Sequence, residues 1–151
     1  MSKKLLQRIA SVVAGEAPMT LEICWKTGER GVVDVSGLIG TFRGYAPLRD
    51  DPSLFRQVRV GEYGTDVIWN DAVDMAADTL WRLAQEQSGE TLSAEGFRAW
   101  RERKAYTLDG AAKALGLSRR MVAHYEQGEK PVPRTVTLAT RALEMDADQA
   151  A

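Results

Sequence analysis

The chain has one cysteine and one histidine in 151 residues. A lone Cys24 excludes an intrachain disulfide, and one thiol with one imidazole leaves too few soft ligands for a structural zinc site. Long hydrophobic runs are missing as well. The segment 9–15, interrupted by Ser11, falls far short of the ~20 residues that a membrane helix needs. The start, Met1-Ser-Lys-Lys, has charge but neither a signal-length apolar stretch nor a small-residue cleavage site, so a cytoplasmic location is expected. Nor is there a surplus of one charge, since the net charge is −1 at pH 7, which excludes a chain coated in positive charge for nucleic acid. What remains, 44% hydrophobic and 27% charged residues, is the composition of a globular chain with one good core or two small ones. Cys24 lies in an apolar stretch and reads as a small buried hydrophobe.

The small net charge hides an uneven distribution. Residues 97–134 hold nine Lys and Arg against four Asp and Glu, a local balance of +5, while the first part and the tail after Glu144 carry the compensating acid. Such asymmetry fits a nucleic-acid module joined to a neutral or acidic partner, and a solvated basic face would produce it too.

Periodicity changes near Ser88-Gly89-Glu90. Before it, segments 20–25 and 30–35 flank Lys26-Thr27-Gly28-Glu29, a hairpin pattern. Two further strands are expected at 54–60 and 65–69 around Gly61-Glu62-Tyr63-Gly64, with Val58 and Val60 on one face and Arg59 on the other. Residues 9–13 fit either a strand or a helical turn. The spacing of Ala76, Leu80, Leu83 and Ala84 predicts a helix over 75–87, with Asp74 or Asp78 near its start. After Gly89 the period is helical throughout. Ser93 is placed to cap a helix through Phe97 and Trp100, Thr107 a helix over 108–115, and Ser118 one over 119–127. Gly116 and Gly128 stand where helices stop, and Pro131 and Pro133 force an extended link before a fourth helix over 135–145. The expected fold is α+β with two domains: 1–88, a small antiparallel sheet with a helix, and 89–151, all-α.

Two short helices joined by Leu115-Gly116-Leu117-Ser118 make a helix-turn-helix, whose second helix is the one presented to the major groove. Val122 and Tyr125 face inward with Leu115 and Leu117, leaving Arg119, Arg120, Ala123, His124 and Gln127 outward. Arginine can offer guanine O6 and N7 two parallel donors. The amides at the same helix start suit a phosphate. Arg119 and Arg120 also fit plain solvated surface, and His124 fits surface as well as base or phosphate contact.

The stretch from Thr107 to Arg134, and within it Leu117-Ser118, Val122, Tyr125-Glu126 and Gly128, resembles the phage-repressor family of helix-turn-helix domains, the Cro and lambda-repressor-like or xenobiotic-response-element group. The resemblance implies that Arg119, Arg120 and His124 face bases and that Ser118 and Gln127 touch backbone. It further implies that Arg101 and Glu126 form a structural ion pair and that Arg134 approaches the minor groove. Three departures stand out: Leu108 replaces the polar residue that usually binds a phosphate, Gly110 weakens its helix by ~1 kcal/mol relative to alanine, and no fifth helix, of the kind that helps pair two copies, is expected within these 151 residues.

Residues 9–81 resemble a small bacterial domain family of unknown function. The matching features are Gly31-Val-Val-Asp34-Val, Phe42 with Leu48-Arg-Asp50, Phe55 with Val58 and Val60, and Ile68-Trp69 followed by Asp74, Asp78 and Leu80. This part has carboxylates, including Asp50, Asp51, Asp66 and Asp71, but no histidine, no phosphate loop and no nucleophile paired with a base. Asp50, Asp51 and Asp71 suit turns and caps. Trp25, Trp69 and Trp81 suit a core, with a pocket lining as the alternative. No enzyme activity, cofactor or metal is expected.

The function read from the sequence is a DNA-binding transcriptional regulator, working as a homodimer on double-stranded DNA, with 1–88 pairing the copies or binding a protein partner. One rival is an antitoxin-like autorepressor, which a neighbouring toxin-like gene would favour. The other is an interaction module that has lost DNA binding, motivated by Leu108 and the net charge, which a salt titration would separate.

Overall fold

A computed structural model describes the backbone of residues 7–150 and the side chains of 7–146. The chain divides into two compact units, Met1–Gln87 and Ser88–Ala151. No helix among the described residues is long and apolar enough to cross a membrane.

In the first unit, β1 (Ile9–Ala14), β2 (Thr20–Trp25) and β3 (Arg30–Asp34) form an antiparallel meander in that order. The open alternative at 9–13 thus resolves as a strand. Two-residue alternation in β2 turns Leu21, Ile23 and Trp25 into the core and Glu22 outward. Cys24 shares the outward parity and is only half-buried, which corrects the reading of it as a core residue. Gly28, with φ 95°, makes the hairpin turn between β2 and β3.

The chain then runs through α1 (Ser36–Thr41), a 3-10 turn (Arg43–Leu48) and α2 (Pro52–Phe55) before a second antiparallel sheet of β4 (Arg59–Val60), β5 (Asp66–Asn70) and β6 (Val73–Ala76). The strand expected over 54–60 therefore shrinks to two residues. Asp51 accepts a hydrogen bond from the Leu54 amide (3.0 Å), and Pro52 occupies the first helical position, so local capping wins over the apolar run.

The helix expected over 75–87 begins two residues later, as α3 (Ala77–Gln87). Val73 and Met75 are buried while Asp74 and Ala76 are exposed, a period of two that pairs β6 with β5. Asp74 is thus a strand residue, and Asp78 is the carboxylate in the first turn of α3. The far end of α3 is tied to the first sheet: the Gln87 amide accepts from the Asp34 N–H and donates to the Asp34 carbonyl, both at 2.8 Å. Trp25 and Trp69 are core residues. Trp81 packs against that core edge-on to Trp25, and the Trp69 indole donates to the Phe55 carbonyl at 3.1 Å.

The second unit holds α4 (Ala94–Arg103), α5 (Leu108–Leu115), α6 (Arg119–Glu126) and α7 (Arg134–Ala150) around Phe97, Trp100, Ala111, Ala112, Val122, Tyr125, Val132 and Val136. Ser93, Thr107 and Ser118 each accept a backbone amide hydrogen bond three residues on, at 3.0, 2.9 and 3.1 Å. α7 starts one residue earlier than expected and runs five residues further. Its buried Thr137 accepts from the Leu92 amide and donates to the Pro133 carbonyl, which fixes the entry into α4 and the start of α7 together.

Candidate nucleic-acid interface

The turn between α5 and α6 is set by backbone chemistry. Gly116 takes φ 70°, the Leu117 amide reaches back to the Ala112 carbonyl (2.9 Å) and the Gly116 amide to that of Lys113 (3.4 Å). This pair of hydrogen bonds closes a helix when the residue after its end is left-handed, a conformation that favours glycine. Ser118 then caps α6. Ala112, small and buried in the core of the unit, keeps that surface of α5 low.

α6 buries Val122 and Tyr125, and the opposite side carries Arg119, Arg120 and Gln127 in solvent. Ala123 and His124 are half-buried, so the outward face is narrower than the spacing suggested. The basic side chains are engaged within the unit. Arg119 Nη1 lies 3.5 Å from Asp109, with both side chains well exposed, a separation at which solvent screens most of the attraction. Arg120 Nε donates to His124 Nε2 at 3.3 Å, and His124 Nδ1 contacts the Glu129 carboxylate.

Ser118, Arg119, Arg120, His124 and Gln127 are thus gathered on α6 and its caps. Arg134 is on another element, in the first turn of α7, with Nη1 2.6 Å from the Glu90 carboxylate. Leu108 packs against the core of the unit, which accounts for an apolar residue at that position.

Two long-range contacts hold α6 at its C-terminal end. Arg101 on α4 donates through Nε and Nη2 to the two oxygens of Glu126, and its Nη1 donates to the Tyr106 carbonyl at 2.9 Å. The bond to Glu126 holds the Arg101 guanidinium proton more tightly than usual. Arg98 Nη2 adds a bond to the Glu126 carbonyl at 3.2 Å. Burial raises the Tyr125 phenol above its ordinary range. Asp109, Glu129 and Arg98 were not singled out from the sequence. Only their charge was visible there, and charge without a partner's position carries no signal.

A capped pair of short helices across a glycine turn, with a third helix behind and two arginines at the start of the second, defines a helix-turn-helix protein. Residues 94–151 match the model of a helix-turn-helix domain, and residues 9–86 match that of a protein family of unknown function, DUF2442. The chain belongs to this DUF2442 family, with a helix-turn-helix domain following the family's own region. It is similar to a solved structure from Nitrosomonas europaea, the protein NE0471, described as a candidate DNA-binding protein. That likeness has 36% identity over 95% of this chain and 90% of the other, with a TM-score of 0.56. No curated protein matches the chain.

Proposed function

We propose that the protein is a sequence-specific DNA-binding transcriptional regulator that acts in the cytoplasm by binding rather than catalysis, with 119–127 entering the major groove. The observation that carries this reading is the exposure of Arg119 and Arg120 at the capped start of α6, on a helix otherwise clamped into a small core. Helix N-terminal residues are the ones a helix-turn-helix brings to base edges. A bidentate arginine discriminates guanine by about 1–3 kcal/mol. Ser118 and Gln127 flank these arginines and suit backbone contacts, and Arg134 is the added basic residue for the minor groove. The description of the Nitrosomonas europaea relative supports the same reading.

One α6 reads only a few base pairs, so affinity calls for two copies on half-sites about 34 Å apart. Pairing the copies is assigned to 1–88. The test is selection of bound sequences from random duplex DNA by the intact protein, repeated with the double change Arg119→Ala and Arg120→Ala. A selected sequence that the double variant no longer prefers is expected, with affinity falling as salt rises at a log–log slope near −0.9 per phosphate neutralised. Salt-independent binding, or a preference that survives the double change, overturns the reading.

A further inference from the structure

We propose that Glu129 is a positioning residue for base recognition, holding Arg120 in its reading orientation through His124. The inference rests on the reading of α6 as the helix that enters DNA.

The backbone comes first. Gly128, with φ 74°, ends α6, its amide bonding the Tyr125 carbonyl at 3.3 Å. The chain then doubles back, and the amides of Glu129 and Lys130 both point at the His124 carbonyl, at 3.0 and 3.4 Å. This closure places Glu129 over the last turn of α6 whatever its side chain does. Its carboxylate meets His124 Nδ1. An ionised carboxylate only accepts, so Nδ1 carries the imidazole proton and, in the neutral ring, Nε2 is left as an acceptor. Arg120, one turn earlier on the same helix, donates its Nε to that nitrogen at 3.3 Å.

Three side chains therefore form one directional chain, Arg120 to His124 to Glu129. With Nε taken, the free donors of Arg120 are Nη1 and Nη2, an end-on pair of the kind that guanine O6 and N7 accept. Holding a long exposed side chain before it meets DNA removes part of the ordering cost of binding. His124 has only 22% of its side chain exposed, and both of its ring nitrogens are committed. That favours a supporting role for it over direct base contact. Of the charged groups on the neighbouring helices, Asp109 of α5 faces Arg119, and Arg98 and Arg101 of α4 hold Glu126.

The test takes the duplex selected by the intact wild-type protein and measures affinity for it and for each single base-pair change. The proteins compared are wild type, Arg120→Ala, Glu129→Ala, Glu129→Gln and the Arg120→Ala/Glu129→Ala pair. Glu129→Ala is expected to lose about three- to tenfold of discrimination at the same base pair that Arg120→Ala affects, the worth of one hydrogen bond. The double variant should discriminate no worse than Arg120→Ala alone. Binding to unrelated DNA should hold or rise, because an acid has been removed near phosphates. Glu129→Gln, whose amide oxygen can still accept from Nδ1, should retain most of the discrimination.

If Glu129→Ala raises affinity for all sequences equally, the residue is only a charge guard and the proposal falls. If all affinities drop together with the melting temperature, its role is only structural and the proposal falls equally. Nitrogen NMR of the protein without DNA gives a separate reading: Glu129→Ala should shift His124 from the Nδ1–H towards the Nε2–H tautomer, and an unchanged tautomer refutes the relay. Wild-type protein that selects no sequence overturns the DNA reading and this proposal with it, whereas selection with unchanged discrimination overturns the relay alone.

Discussion

Replacing Arg101 by methionine tests what holds α6 in place. The side chain of Glu126 is 8% exposed and that of Arg101 20% exposed, and the guanidinium grips both carboxylate oxygens. Arg101→Met keeps most of the aliphatic packing but strands an ionised carboxylate and uncovers the Tyr106 carbonyl. Removing one partner of a fully buried pair costs about 3–5 kcal/mol. Water already reaches the edge of this guanidinium, so about 2–3 kcal/mol is expected.

The reverse change, Glu126→Met, leaves a cation that can turn to solvent and still bond Tyr106. Its expected cost is smaller, about 1–2 kcal/mol. Changing both together should return the protein to within about 1 kcal/mol of wild type, since an apolar pair needs no compensation. Hydrogen exchange of α6 amides in the intact chain, together with thermal unfolding of its second unit, reads these differences. For a unit of this size, 2–3 kcal/mol corresponds to a fall of about 10–20 °C. A double variant that costs the sum of the two singles, or an Arg101→Met change below about 0.5 kcal/mol, would refute the clamp.

Two further outcomes follow from local geometry. Just past the C-cap of α4, Ala105 takes φ 55°, with the Tyr106 amide bonded to the Arg101 carbonyl at 3.1 Å, a closure that glycine makes without strain. Ala105→Gly relieves about 1–2 kcal/mol of left-handed strain and adds chain entropy to the unfolded state, for a net gain of about 0.5–1 kcal/mol in denaturant titration; a loss would contradict this. Tyr125 is the pH probe. Its folded-state pKa is raised by burial, so the contribution to stability is present in full below the ordinary phenol range near 10 and is lost as pH rises through the folded value. Alkaline unfolding of the second unit should become shallower in Tyr125→Phe, and an identical pH profile would remove Tyr125 as the cause.

Much of the second unit was legible because its signals are local. Ser93, Thr107 and Ser118 act on amides three residues away, Gly116 and Gly128 act through their own φ, and Val122 and Tyr125 share a face by helical geometry alone. None of these needs a distant partner. The left-handed Ala105 carried no such signal, because alanine is an unfavourable choice there; it is the next residue, Tyr106, that packs against Trp100 and the core.

The first unit was read less well where two local codes competed. Residues 73–76 have a composition that continues into a helix, and only pairing with β5 selects the strand. Residues 54–55 look extended, yet the Asp51 cap and Pro52 draw them into α2. Cys24 lies in an apolar run, but the register of β2 between its two neighbours puts it on the outer face.

The same division runs through the candidate site. The sequence alone determined that α6 exists, where it starts and, to within one residue, where it stops, and that two arginines open it, since helix caps and period are settled within a few residues of chain. Only the tertiary structure decided that His124 is largely covered, that Glu129 folds back onto it and that Arg101 grips Glu126 from another helix. Those contacts depend on where remote or reversing segments come to rest, which charge and spacing along the chain do not encode.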